Sequence, residues 1–222
     1  MNIALSEESP PGRKVVYLTF DDGPCSNTHK LLDILREEGV PATFFLIGNE
    51  LRKYQVAVRT MVEDGHAIGC HSYFHQRSLL QTKDGFKRQT TRFDTALEEV
   101  LGFPLEVRLF RFPFGSSNTT PKVRRYASES GYLWIDWNAS NSDTDDKINQ
   151  KADLILAAAI RTSRDKDVVV LLMHENRQRT REMLPALIQY YRDNGYEFDV
   201  LTPDIDYMIP GVKMGLPAPK QP

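Results

Sequence analysis

The sequence predicts an α/β fold, a single domain built as a distorted or incomplete (β/α) barrel. Three observations lead to this prediction. The chain has 222 residues, enough for one substantial core and somewhat short for two. Short apolar runs alternate with longer amphipathic segments about seven times, as expected for parallel strands covered by helices. Seven or so such units in a chain of this length suit a small barrel better than two packed domains.

Each element follows from its local pattern of apolar residues and breakers. The run "VVYLTF" predicts the first strand, and Leu31, Leu32 and Leu35 give the next segment one apolar helical face that ends at Gly39. The same reasoning predicts strands over 15–20, 42–48, 66–70, 107–113, 132–138, 168–173 and 196–201. It predicts helices over 28–38, 50–63, 83–101, 121–130, 146–161 and 180–194. We expect one folded domain over residues 14–207, with irregular tails over 1–13 and 208–222.

Composition excludes several classes of function. The net charge is −2 with both signs mixed along the chain, so no strong positive field favours nucleic acid or a polybasic membrane role. Apolar runs such as "VVVLLM" are too short to cross a bilayer, and "MNIALSEESPPGR" does not resemble a signal peptide. The two cysteines, Cys25 and Cys70, are expected to be unpaired, although one bridge between them is the alternative.

Polar clusters follow several predicted strands. Asp21 and Asp22 end the first strand, "HSYFH" follows the third, "RFPFG" ends the next, and His174 follows "VVVLLM". Functional groups of parallel α/β folds gather at the carboxyl ends of the strands. One pocket is therefore expected to hold all four clusters.

The spacing of two histidines indicates a metal site. His71 and His75 are four residues apart, which suits two imidazoles on one ion, whereas two hydrogen-bonded histidines are the simpler alternative. One aspartate of the pair Asp21 and Asp22 would be a third ligand, which leaves a coordination position open for catalysis. The other aspartate would accept a proton from an attacking water. A helix-capping turn is the alternative interpretation of this pair.

Two further residues have candidate roles. Arg111 would pair with a carboxylate and hold it charged, or would be a surface arginine at a strand end. His174 follows a buried strand, where it would act as a general acid or simply be a hydrogen-bonded residue. His29 and His66 have no comparable context and are interpreted as structural or surface residues.

Taken together and in this order, "TFDDGP", "HSYFH", "RFPFG" and "LLMHE" resemble the motifs of the polysaccharide deacetylases with the NodB homology domain, carbohydrate esterase family 4. The resemblance covers roughly residues 14–205, so 14–207 would be the catalytic domain. It implies a divalent metal, most commonly zinc, with cobalt, manganese or nickel as alternatives. It implies removal of acetyl groups from an acetylated glycan, either N-acetyl groups of chitin-like or peptidoglycan polymers or O-acetyl groups of xylan.

The resemblance also assigns roles by position. Asp22, His71 and His75 resemble the metal ligands and Asp21 the general base. Arg111 resembles the residue that orients the base, and His174 resembles the general acid. Phe114, after Pro113 in the pocket, would donate its backbone N–H to the oxyanion. Leu171 would line the pocket around the acetyl methyl group.

Two departures from the family pattern stand out. Phe114 replaces the usual tyrosine or tryptophan. An alignment on Trp137-Asn138 puts Ser140 where the family has an aspartate that tunes the acid histidine, and Thr144 where it has a tryptophan. Asp136 and Asp143 are the two candidates to replace that aspartate.

The preferred hypothesis is metal-dependent N-deacetylation of a polymer of N-acetylglucosamine type, with a lean toward peptidoglycan. An O-acetyl esterase or small-amide hydrolase, and a non-catalytic glycan-binding module, are the alternatives. The family implies an extracellular or envelope location, whereas the apparent lack of a signal peptide leaves the cytoplasm open.

Overall fold

A curled, mostly parallel sheet forms the centre of the protein. The computed structural model describes residues 13–149, 151–203, 205 and 208–218. The strands in this part of the chain are β1 Val15–Gly23, β2 Thr43–Leu46, β3 Ala67–Cys70, β4 Leu109–Phe110, β5 Leu133–Ile135, β6 Ala139–Ser140, β7 Val168–His174, β8 Glu197–Asp199 and β9 Met214–Gly215. Their order across the sheet is β6-β7-β1-β2-β3-β4-β5-β9, and β8 pairs with β1.

Six helices of the described chain pack on the outer face of this sheet. They are α1 Thr28–Glu38, α2 Gln55–Glu63, α3 Lys83–Leu101, α4 Pro121–Glu129, α5 Ala152–Ser163 and α6 Gln178–Asp193. Local chemistry fixes several ends: the Thr82 side chain accepts from the Gly85 N–H at the start of α3, and α4 begins with the Thr120 hydroxyl accepting from the Val123 N–H. Gly39 closes α1 in the left-handed conformation.

Strand β1 divides the core into two parts. Val16, Leu18 and Phe20 are fully buried against the helices, whereas Val15 and Tyr17 point to the inside of the curled sheet. This alternation follows from the two-residue repeat of a strand. The same repeat places Thr19 and Asp21 on the inner face, so the acidic end of β1 is directed into the mouth of the half-barrel.

The predicted fold class is confirmed: the protein is a single α/β domain with a curled half-barrel sheet. Several boundaries differ from the sequence prediction. The strand expected over 107–113 is reduced to Leu109–Phe110, because the chain turns away at Phe114, whose φ is 66°. The helix expected over 146–161 begins only at Ala152, since residues 145–149 form hydrogen-bonded turns.

The segment after residue 207 was expected to be an irregular tail, but much of it belongs to the fold. β9 pairs antiparallel with β5, and Ile209, Val212 and Met214 are buried inside the curled sheet. The expected N-terminal tail, 1–13, lies outside the described residues except for Arg13. Cys25 and Cys70 are both free thiols. No helix in the described ranges is long and apolar enough to cross a membrane.

Candidate active site

The predicted polar clusters meet at the carboxyl edge of the sheet. The register pairs Asp21 at the end of β1 with His174 at the end of β7. Cys70 ends β3 and pairs with Phe110 of β4, so His71 and Arg111 are neighbours one residue further on. Each group leaves a rigid strand within a residue or two of its end, and this fixes its position in the mouth of the half-barrel.

Asp22, His71 and His75 form the one cluster of the described residues that is suited to a metal ion. The Asp22 Oδ1 atom lies 3.6 Å from His71 Nε2 and 3.3 Å from His75 Nε2. Nitrogen and oxygen ligands held at 2.0–2.2 Å around a tetrahedral ion are about 3.3–3.5 Å apart. The separations in the cluster therefore match those of a site for one small divalent cation.

Two further observations support the fit of a cation. Asp22 Oδ1 is buried without a hydrogen-bond partner, which would be costly unless an ion satisfied it. His71 Nδ1 lies 2.8 Å from the carbonyl oxygen of Arg111. Because a carbonyl only accepts, Nδ1 carries the proton and Nε2 presents its lone pair to the cluster. Burial lowers the pKa of His71 well below its usual range, which keeps this ring neutral.

Asp21 lies beside the cluster but has a different partner. Its Oδ1 atom accepts from Arg111 Nη1 at 2.9 Å. Arg111 is completely buried, and its other bonds go to the Thr19 hydroxyl and to the carbonyl oxygens of Ile135 and Asp136. Burial raises the pKa of Asp21 despite the Arg111 guanidinium beside it. A held carboxylate with a raised pKa is suited to accept a proton.

The loop after β4 brings Phe114 to the metal-binding cluster. Its ring lies 4.8 Å from the His75 ring between centroids, and its side chain is 61% exposed. Among the described residues the Phe114 N–H has no acceptor, so it remains available to an oxyanion. Asp136 holds the same loop through the Ser116 N–H at 2.9 Å and the Ser116 hydroxyl at 2.6 Å. Pro113 is buried just before Phe114.

His174 also borders the cluster. Its Nε2 atom lies 4.0 Å from Asp22 Oδ2, and its Nδ1 atom lies 2.7 Å from Asp143 Oδ1. Asp143 Oδ2 also accepts from the His174 N–H and from the Thr180 hydroxyl. Burial lowers the pKa of His174, but the hydrogen bond and charge of Asp143 outweigh it and the pKa is raised overall. The imidazolium form is therefore favoured, as a general acid requires.

The aspartate that the sequence alignment missed is thus Asp143. The alignment placed Ser140 in that position, but the Ser140 hydroxyl only accepts from the Ser142 N–H, and Thr144 is exposed. Asp136, the other candidate, anchors the Phe114 loop instead. In the loop after β6 the aspartate comes about three residues later than the family spacing suggested. The sequence does not show that this loop reaches His174.

The sequence assignment of Leu171 to the pocket is wrong. Leu171 is fully buried in the core between sheet and helices, together with Val169 and Met173. The neighbouring Leu172 is on the same face of β7 as His174 and pairs with Thr19 of β1. The two-residue repeat, counted back from His174, would have identified Leu172 from the sequence.

Glu175 is a buried acid that sequence reasoning did not single out. It is fully buried, and it accepts from the Cys25 N–H at 3.1 Å and from the Thr28 hydroxyl. A Cβ atom at Gly23 would lie 2.0 Å from Glu175 Oε2, so a larger residue there would displace the Glu175 carboxylate. Burial raises the pKa of Glu175 to about 7. This side chain connects the end of β7 to the turn that follows Asp22.

Backbone conformations with positive φ concentrate at the site. The non-glycine residues of the described chain in this region are Asp22, Ser72, His75, Phe114 and Ser142, with φ between 54° and 69°. Each costs about 1–2 kcal/mol relative to a right-handed conformation. Two are metal-ligand candidates and one is the candidate oxyanion donor, which indicates that the fold holds the site in a strained, preorganised form.

Comparisons with known proteins identify the family and similar folds. The family model described as polysaccharide deacetylase matches residues 8–135. A peptidoglycan-N-acetylglucosamine deacetylase of Bacillus cereus is 30% identical over 195 residues, which are 84% of this chain and 69% of that protein. A family 4 carbohydrate esterase of Streptococcus mutans superimposes with a TM-score of 0.80 at 32% identity, covering 86% of this chain and 87% of the other.

A second solved structure, the catalytic domain of a peptidoglycan N-acetylglucosamine deacetylase from Eubacterium rectale, has a TM-score of 0.78 at 29% identity. It covers 90% of this chain and 93% of that chain. The fold and the site define a hydrolase of the carbohydrate esterase class. The chain belongs to the polysaccharide deacetylase family, carbohydrate esterase family 4.

Proposed function

We propose that this protein is a metal-dependent deacetylase that hydrolyses N-acetyl groups of N-acetylglucosamine residues in peptidoglycan or a similar glycan. The observation that carries the proposal is the arrangement around Asp22, His71 and His75. The Asp21–Arg111 pair and the His174–Asp143 pair both border this cluster. A hydrolysis that needs both a base and an acid is served by a site in which a carboxylate and a histidine both border the metal-binding cluster.

The chain's own residues account for the proton transfers. A divalent cation at Asp22, His71 and His75, most commonly zinc, would supply Lewis-acid polarisation of the acetyl carbonyl and of the attacking water. Asp21 accepts the proton of that water while Arg111 holds its other oxygen. The Phe114 N–H stabilises the oxyanion as it forms. His174 then donates its proton from Nε2 to the departing amine, and acetate is released.

Peptidoglycan is the preferred substrate because a similar protein and a similar solved structure are described as peptidoglycan N-acetylglucosamine deacetylases. The cell envelope or the exterior is where this substrate is found, and we propose it as the location of the protein. The structure offers no observation in favour of an O-acetyl esterase or a non-catalytic module. These alternatives become outcomes of the assay below.

The test measures acetate released from N-acetylglucosamine oligosaccharides, peptidoglycan and acetylxylan, before and after chelation and after addition of Zn²⁺, Co²⁺, Mn²⁺ or Ni²⁺. Activity on the N-acetylated glycans should disappear with chelator and return with metal. Asp22→Asn should abolish it, whereas Asp33→Asn, which changes an exposed carboxylate on α1, should not. Thermal stability supplies a second measurement, since added metal should raise the Tm of the wild-type protein but not of Asp22→Asn.

Activity that survives chelation would contradict the metal dependence. Turnover of acetylxylan alone would favour the esterase. Glycan binding without any turnover by the metal-loaded wild-type protein would favour the binding module.

A further inference from the structure

A cavity lies next to the active site on the Phe114 side. Its volume is about 890 Å³, within the roughly 300–1,000 Å³ of ordinary ligand sites. One wall comes from Arg77, Ser78 and Gln81, the other comes from residues 118–120, and the exposed Phe114 ring lies on its border. The Phe114 ring also contacts the metal-ligand candidate His75, so a molecule in this cavity would be a direct neighbour of the reacting group.

The chemistry of the lining suits a sugar. An exposed aromatic ring offers a face to the C–H surface of a pyranose, and the hydroxyl and amide groups around it offer donors and acceptors to its hydroxyls. The Ser78 hydroxyl has no hydrogen-bond partner within the described residues. A sugar bound here would adjoin the residue being deacetylated, as the next unit of a chain.

Arg77 adds a charge to this cavity. Its Nη1 donates to the Asn118 carbonyl oxygen at 3.1 Å, and the guanidinium forms no ion pair with any residue in the described part of the chain. None of the residues that line the cavity is acidic. An arginine with one donor bond among the described residues, and with no acidic residue in the cavity lining, can bind an external carboxylate in the bidentate mode.

We infer that this cavity is a subsite for a sugar that carries a carboxylate, and that Arg77 selects acidic glycans over neutral ones. The inference rests on the proposed deacetylase function and specifies its substrate. In peptidoglycan the carboxylate comes from one of two sources, the lactyl group of a glycan without peptides or the stem peptide itself. A chitin-like chain has neither.

The experiment compares three oligosaccharides of equal length: a neutral N-acetylglucosamine chain, a peptidoglycan fragment without peptides, and the same fragment with its peptides. The variants are Arg77→Gln, Arg77→Lys, and Arg164→Gln as the matched control. Arg164 is an exposed arginine that follows α5. It precedes the amino end of β7, whereas the site lies at the carboxyl ends of the strands. The kcat/KM of each variant is measured at low and high salt. The affinity of each variant for the three oligosaccharides is measured under the same conditions, with the inactivating Asp21→Asn substitution added.

The wild-type protein should favour one of the acidic fragments, and Arg77→Gln should lower kcat/KM and affinity for that fragment about 5- to 10-fold. Values for the neutral chain should not change, and Arg77→Lys should retain part of the preference. High salt should reduce the preference, because the pair is exposed. The fragment that responds identifies which carboxylate is bound.

Equal affinity of the wild-type protein for neutral and acidic chains would overturn the inference. An equal loss on all chains in Arg77→Gln would also overturn it, since Arg77 would then only support the His75 loop. These outcomes leave the proposed function standing. If the metal-loaded wild-type protein releases no acetate from any chain, the proposed function fails, and the affinity measurements still decide whether the cavity selects carboxylates.

Discussion

Replacing Asp143 with asparagine tests the assignment of the acid side of the site. Asp143 is 2% exposed, and its two oxygens accept from His174 Nδ1 at 2.7 Å, from the His174 N–H at 2.8 Å and from the Thr180 hydroxyl at 2.7 Å. Asparagine has the same shape but no charge, and its amide group must face at least one of these donors. The substitution therefore weakens the orientation of His174 and removes the anion that stabilises its protonated form.

The expected loss follows from the hydrogen bond. A buried hydrogen bond between charged groups contributes about 1.5–3 kcal/mol, so kcat of Asp143→Asn should fall roughly 10- to 150-fold. The pH profile should also change. His174 must be protonated to act, and Asp143 raises its pKa, so activity is lost as the pH rises through that pKa. Without the anion the pKa of His174 is lower, and the alkaline limb of the profile should move to lower pH.

The assay measures acetate release from an N-acetylglucosamine oligosaccharide with metal in excess. The pH is varied from about 5 to about 10, so that both the acidic and the alkaline limb of the pH profile are covered. Ser140→Ala is the matched control, because Ser140 occupies the place that the sequence alignment gave to the aspartate, and it should leave the alkaline limb unmoved. If the alkaline limb of the pH profile is the same in Asp143→Asn as in the wild-type protein, the role of Asp143 is refuted. If the alkaline limb shifts in Ser140→Ala, the assignment of this role to Asp143 rather than Ser140 is refuted.

Two further predictions concern buried charges. Arg111→Met should lower the free energy of unfolding in urea by about 3–5 kcal/mol, because it leaves Asp21 buried and unpaired. Arg108→Met, at an exposed ion pair nearby, should change the free energy of unfolding by about 0.5 kcal/mol or less. Equal losses would show that the Arg111–Asp21 pair does not stabilise the fold. The pKa of Glu175 is raised to about 7 in the folded protein, against 4.5 for the free side chain. As the pH rises between these values, Glu175 loses its proton in the unfolded chain before it does in the folded protein. The free energy of unfolding therefore falls over this pH range, by roughly 3 kcal/mol in all. Urea unfolding at about pH 5 and about pH 8, near the lower end of that window and about one unit above its upper end, is measured with chelator present. The fall in stability should be smaller for Glu175→Gln than for the wild-type protein, and equal falls would contradict the raised pKa of Glu175.

The sequence alone was sufficient for the fold class and for most of the site. The alternation of short apolar strands with amphipathic helices predicts the half-barrel because burial of one helical face and of both strand faces is a local property of the residue pattern. Because parallel strands end at one edge, Asp21, Asp22, His71, Arg111 and His174 were expected in one pocket, and the structure brings them together.

Two local features escaped the sequence analysis although the signal was present. The repeat of two along β7 puts Leu172, and not Leu171, on the face of His174. The acid Glu175 stands beside His174 in the motif itself, and Gly23 in "DDGP" is the small residue that makes room for it. Both were available as patterns, but neither has a meaning until the two strand ends are known to be adjacent.

Other features were decided by tertiary structure. Ser140, Asp136 and Asp143 are all within a few residues of one another, and sequence spacing did not select among them. The loop after β6 folds back so that Asp143 reaches His174, while Asp136 turns toward Ser116. Likewise, the segment around Met214 has no strong strand pattern, and it becomes a strand only because β5 presents an unpaired edge.

The sequence by itself determined which chemical groups the protein has and that they follow the ends of its strands. It also placed two adjacent aspartates at the end of the first strand. The tertiary structure decided their partners: Arg111 for Asp21, and two imidazoles for Asp22. The physical reason is that side-chain direction along a strand is set by local geometry, whereas the identity of a contact depends on loops whose paths are fixed only by packing against distant parts of the chain.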